Sequence, residues 1–196
     1  QVEFPLVLRI PEWADSAELT IDNNTAINPK PGEFHTISNV WNGENVITLK
    51  LPMPVKSQRR YNNSITIERG PLVYSLMIGE EWTQVNKDQP YREIPHADYE
   101  VRPATPWNYA LLVNESDLES SITFEEHRVG DCPFSPDGAP VIAKVKGKKL
   151  PYWEILNGWA GETPLSPAAS DEQIEELTLI PYGCTNIRIT EFPTID

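Results

Sequence analysis

Residues 65–77 read ITIERGPLVYSLM, from Ile65 to Met77. Ile65 and Ile67 share one face of an extended run, with Thr66 and Glu68 on the other. At Gly70-Pro71 pairing is broken, and Leu72, Tyr74 and Leu76 then resume the alternation. The pattern predicts strand, corner, strand. The segment holds no nucleophile, metal-ligand cluster or phosphate loop, so its weight is architectural.

The rest of the composition agrees. Nineteen prolines and ten glycines beside 39% hydrophobic residues describe many short segments joined by turns, not a bundle of long helices or a disordered tail. An all-β fold follows. At 196 residues there is room for one large β-domain or two small ones, each able to bury a core without disulfide support. A net charge of -13 argues against nucleic acid and anionic membranes as partners, because both would repel the chain, whereas a neutral ligand is tolerated. No apolar run approaches the roughly 20 residues of a membrane span, and no basic segment followed by an apolar stretch opens the chain. A soluble domain is expected, of unknown compartment. The start at Gln1, already entering a strand-like run by Val2, suggests a piece of a longer protein.

Apolar residues recur at period two along the N-terminal part. Phe4, Leu6, Leu8 and Ile10 form one face of a strand stopped by Pro11. Ala17, Leu19 and Ile21 form a second, ending in the turn sequence Asp22-Asn23-Asn24. The runs 34–41 and 46–51 flank Asn42-Gly43, a strong hairpin signal, and Ile47, Leu49 and Leu51 should point inward. From Gly79 to Pro106 charged, aromatic and proline residues mix without a clean period, which reads as a crossover. Strands are expected again at 109–113, 121–126 and 141–145. The stretch 156–167 reads as loop, and Ser170 with Gln173 caps at most one helical turn. The runs 176–180 and 186–190 flank Pro181-Tyr182-Gly183-Cys184 and predict a terminal hairpin.

Five ordered blocks carry a family resemblance: LRIPEWA (8–14), LPMPV (51–55), ERGPLVYSL (68–76), PWNYAL (106–111) and LIPYGCTNIRITEFP (179–193). Together they resemble the C-terminal region of family 127 glycoside hydrolases, the β-L-arabinofuranosidase-like enzymes. The resemblance covers nearly the whole chain. It implies two antiparallel β-sandwiches of jelly-roll type with very little helix, the second interrupting the first: 1–78 plus 176–196, and 79–175. It also implies a catalytic (α/α)6 barrel, in which a zinc-bound cysteine is the nucleophile and a glutamate the acid/base. No block here matches that barrel. Catalytic and metal residues therefore transfer to no position of this chain, and zinc is expected only in the catalytic domain.

The chemistry-bearing residues fit that picture. Cys132 and Cys184 lack a CxxC or histidine partner at ligand spacing and read as structural thiols, with one disulfide between them the other option. His35, His96 and His127 are scattered. Glycosidases need two carboxylates roughly 5 to 9.5 Å apart. The adjacent pairs Glu80-Glu81 and Glu125-Glu126 point to opposite faces of a strand and read as solvated charge. Asp131 and Asp137 match no calcium loop.

Six tryptophans remain as sugar-stacking candidates. Trp13 and Trp41 should pack the first sandwich, while Trp82, Trp107, Trp153 and Trp159 fall in loops or edges. Trp107 and Trp153 are the carbohydrate-binding candidates, against a role in packing. Two functions stay open. The first is a non-catalytic accessory region that supports the barrel and supplies a possible homodimer contact. The second is a carbohydrate-binding module for arabinose-containing glycans, marked by solvent-facing Trp and Tyr on one face. An independent hydrolase would need a concave site with convergent carboxylates.

Overall fold

The computed structural model describes residues 1–22 and 24–195. It is nearly all β, and among the described residues helix is confined to 3₁₀ turns at Tyr61–Asn63, Leu118–Ser120 and Tyr182–Cys184. The chain divides into two units: Gln1–Val55 with Arg69–Pro71, and Lys56–Glu68 with Leu72–Asp196. This division differs from the one expected from the sequence, 1–78 plus 176–196 and 79–175.

In the first unit, β1 (Val2–Arg9) runs antiparallel to β3 (Phe34–Trp41), in a register from Val2↔Trp41 to Arg9↔Phe34. β2 (Glu18–Ile21) pairs with β4 (Ile47–Lys50), placing Leu19 opposite Leu49. The expected inward residues meet here: Ile10, Ala14 and Ala17 are buried, with Leu8, Trp13, Leu49 and Leu51 packed on them. Asn42-Gly43 does not form the expected hairpin, because β3 is taken up by β1 and β4 by β2. The Asp22 carboxylate fixes the entry to β4 instead. It accepts from the Val46 backbone N–H at 2.7 Å and from the Asn45 amide at 2.8 Å, and these bonds hold the carboxyl below its ordinary pKa. Asn23, the middle of the expected Asp22-Asn23-Asn24 turn, lies outside the described residues.

The second unit is organised by one sheet. Its strands are β5 (Val55–Arg59), β6 (Ile65–Arg69), β7 (Leu72–Leu76), β10 (Tyr109–Leu112), β11 (Ile122–Glu126), β12 (Val141–Lys149) and β15 (Ile174–Pro181). The order is β10-β12-β15-β7-β6-β5, with β11 also on β12. Gly70-Pro71 therefore joins two neighbouring strands: it reverses the chain and leaves the pairing intact. β15 lies between β12 and β7, strands that the sequence reading assigned to different sandwiches. Its Leu179, fully buried, is paired with Ala143 on one side and Leu76 on the other. Gly147 in β12 is required by close approach, since a Cβ there would sit 2.6 Å from the Ala110 carbonyl oxygen and 2.6 Å from Leu177 Cδ1.

Two further hairpins complete the unit. β8 (Glu80–Val85) pairs antiparallel with β9 (Asp98–Pro103) where a crossover was expected. β13 (Ile155–Leu156) pairs with β14 (Trp159–Ala160) where a loop was expected. The expected terminal hairpin is absent. After β15 the 3₁₀ turn leads the chain away, and the last segment laces onto other strands. Leu76 N–H donates to the Ile189 carbonyl at 2.9 Å, Ile65 and Phe192 exchange backbone bonds at 2.8 and 2.9 Å, and Leu111 N–H donates to the Pro193 carbonyl at 2.8 Å. Phe192 is fully buried at that crossing.

Candidate functional site

The turn Asn157-Gly158 joins β13 to β14 with both residues at positive φ, 53° and 85°. That is the backbone a two-residue hairpin of matching twist demands, and asparagine followed by glycine supplies it at least cost. The turn places Leu156 opposite Trp159. Just outside, Gly161 N–H donates to the Glu154 carbonyl at 2.8 Å and extends the ladder.

Trp153 ties this hairpin down. Its ring is 3% exposed, in a cluster with Ala110, Leu150 and Ala168, and its indole N–H donates to the Gly161 carbonyl at 2.9 Å. The Asn108 amide donates to the carbonyls of Leu150 (2.8 Å) and Trp153 (3.0 Å), so the segment leading into the hairpin is fixed as well. Trp107 meets Trp153 edge to face at 5.1 Å between centroids.

Two clefts flank the hairpin. The larger, about 600 Å³, is bordered by Trp153, Tyr152, Glu154, Leu156 and Glu162. Glu162 accepts a hydrogen bond from the Tyr61 hydroxyl, which raises the phenol's pKa. The smaller, about 420 Å³, is bordered by Trp107, Ile155, Trp159, Asn186, Ile187 and Arg188. Trp159 is 79% exposed at its rim. The Arg188 guanidinium lies 4.4 Å over the Tyr182 ring and donates through Nε to the Tyr182 carbonyl at 3.1 Å. Asn186 is pinned by Glu80, which accepts from its backbone N–H and from its side-chain amide, each at 3.0 Å. Burial pushes the Glu80 carboxyl up, but these bonds and one from the Trp82 indole outweigh it, and the pKa lies below the ordinary value.

Of the two sugar-stacking candidates, Trp153 is thus a core residue and Trp107 a half-buried wall. Trp159 and Arg188, which the sequence did not bring together, complete the smaller cleft. Glu154 and Glu162 in the larger one carried no sequence signal beyond their charge. The remaining candidates stay apart. Cys132 is exposed and Cys184 buried, both free; Cys184 donates to the Pro133 carbonyl at 3.3 Å, and burial raises its pKa, the reverse of an activated thiolate. Glu80 and Glu81 are consecutive in β8, and Glu125 and Glu126 in β11, so each pair straddles a strand. Among the described residues no group of three His, Cys, Asp or Glu gathers as a metal site would require. No described helix is long and apolar enough to cross a membrane.

Residues 1–53 match the family model of the β-L-arabinofuranosidase GH127 middle domain. The resemblance to family 127 is borne out. A solved glycoside hydrolase is similar over 99% of this chain, at 19% identity and a TM-score of 0.58, with 28% of its own chain covered. A GH127 β-L-arabinofuranosidase from Geobacillus stearothermophilus T6 is similar over 93%, at 23% identity and a TM-score of 0.50, with 24% of its chain covered. The GH127-like chain therefore spans about a quarter of the length of these structures, and at such identities the likeness is one of fold. No curated protein matches it in sequence.

Proposed function

We propose that this chain is a non-catalytic accessory β-region of a β-L-arabinofuranosidase-like glycoside hydrolase, packing on and supporting a catalytic barrel that lies outside it. The observation that carries this reading is the extent of the match. Nearly all of this chain aligns with about a quarter of a glycoside hydrolase, and its first 53 residues with a middle domain. The burial of Trp153, one of the two tryptophans singled out for sugar, supports packing over display. In this reading zinc and the acid/base belong to the barrel, and a homodimer contact is a further use of the same surfaces.

The test is stabilisation in trans. A GH127 catalytic barrel produced without its β-region should unfold at a lower temperature than the intact enzyme, and added stoichiometric chain should restore part of the difference. A barrel whose midpoint is unmoved by deletion and by addition would contradict a supporting role.

A further inference from the structure

We propose that the smaller cleft, between Trp107 and Trp159, is a binding subsite for a neutral saccharide. The accessory role does not depend on it.

A sugar ring presents an apolar C–H face and a rim of hydroxyls that both donate and accept. Its receptor therefore needs a flat apolar plane beside a fixed donor and a fixed acceptor, within a concavity. The volume of about 420 Å³ lies in the range of roughly 300–1,000 Å³ usual for small-ligand clefts. The plane is the Trp159 indole, 79% exposed, with Trp107 bordering the same cleft. An exposed indole costs apolar hydration unless something covers it. Here it is displayed on a rigid support, because the Asn157-Gly158 turn, the Gly161–Glu154 bond and the Trp153–Gly161 bond hold the hairpin before any ligand arrives. Little ordering entropy would be lost on stacking.

The polar partners are equally prepared. Arg188 uses Nε for the Tyr182 carbonyl, which leaves the two terminal amino groups of its fork to donate to neighbouring hydroxyls. Asn186 gives its amide N–H to Glu80, which leaves its carbonyl oxygen as an acceptor. Donor and acceptor border the same cleft as the indole. The net charge of -13 opposes an acidic polysaccharide and leaves a neutral one unpenalised. Trp153 takes no part in contact: it is a positioning residue for the hairpin.

The experiment titrates this chain with neutral arabino- and xylo-oligosaccharides, followed by calorimetry and by indole fluorescence. At least one series is expected to saturate with Kd of about 1 mM. Trp159→Ala should weaken it at least tenfold and Arg188→Ala severalfold, both with unchanged melting temperature, since both side chains are exposed. Tyr91→Ala, at an aromatic residue 91% exposed and outside the cleft, should leave binding unchanged. Absence of saturation with every neutral series at about 20 mM would overturn the proposal. So would affinity that survives Trp159→Ala, or tighter binding of oligogalacturonate than of any neutral series.

Discussion

Trp107 and Trp153 meet edge to face, their centroids 5.1 Å apart and their planes inclined by 67°, and one ring borders each of the two clefts beside the Asn157-Gly158 hairpin. The contact divides labour between residues that look alike in sequence. Trp153 holds the hairpin to the core, whereas Trp107 and the exposed Trp159 are left to shape a surface.

Trp153→Ala should therefore act on stability first. Removing a buried tryptophan costs about 3–5 kcal/mol, and the Gly161 carbonyl loses its indole donor. Chemical denaturation should show that loss, with backbone amides at 154–161 exchanging faster than the rest of the second unit. A variant within about 1 kcal/mol of the parent would contradict the anchoring role.

Tyr109 sets an alkaline limit. Burial first, and then a hydrogen bond and charge repulsion from Glu175, push its phenol up to about 12 from 10.0. The folded chain keeps the proton that the unfolded chain gives up near pH 10, so this contribution is complete below pH 10 and disappears as pH rises through 12. The loss is on the order of 2 kcal/mol. Denaturant midpoints between pH 9 and 11.5 should fall more steeply for the parent than for Tyr109→Phe, and parallel curves would contradict the assignment.

β15 makes the sheet of the second unit continuous. Leu177, Leu179 and Ile180 are buried in it, each contributing about 1.5–3 kcal/mol when fully buried, against roughly 5–15 kcal/mol for a whole domain. Ending the chain after Ser170 should abolish hydrogen-exchange protection at 72–76 and 141–149 together. Persistent protection at 141–149 in the truncated chain would show that β12 does not rely on β15.

The fold class was legible in period-two runs such as Leu72, Tyr74 and Leu76, which are inward or partly so in β7. Pairing was less so, because a turn signal states that the chain reverses and not which strands meet. Asn157-Gly158 closes a hairpin, while Asn42-Gly43 does not, its neighbours having found better partners in β1 and β2. The β8–β9 hairpin was hidden for another reason: with half of its strand residues exposed and none buried, it has no apolar face to create a period. For the site, Trp107 was readable as a candidate, but Arg188 lies far along the chain. Only the lacing of the C-terminal segment over β7 and β10 brings it to the same cleft.

The central claim, that this chain supports hydrolysis without performing it, is tested most directly by assaying the chain alone on an aryl β-L-arabinofuranoside, with and without added zinc. The larger cleft contains Glu154 and Glu162, so Glu154→Gln and Glu162→Gln belong in the same series, with Cys132→Ser and Cys184→Ser. The account predicts release at the buffer rate in every case. Turnover above buffer that disappears on any one of these substitutions would contradict it.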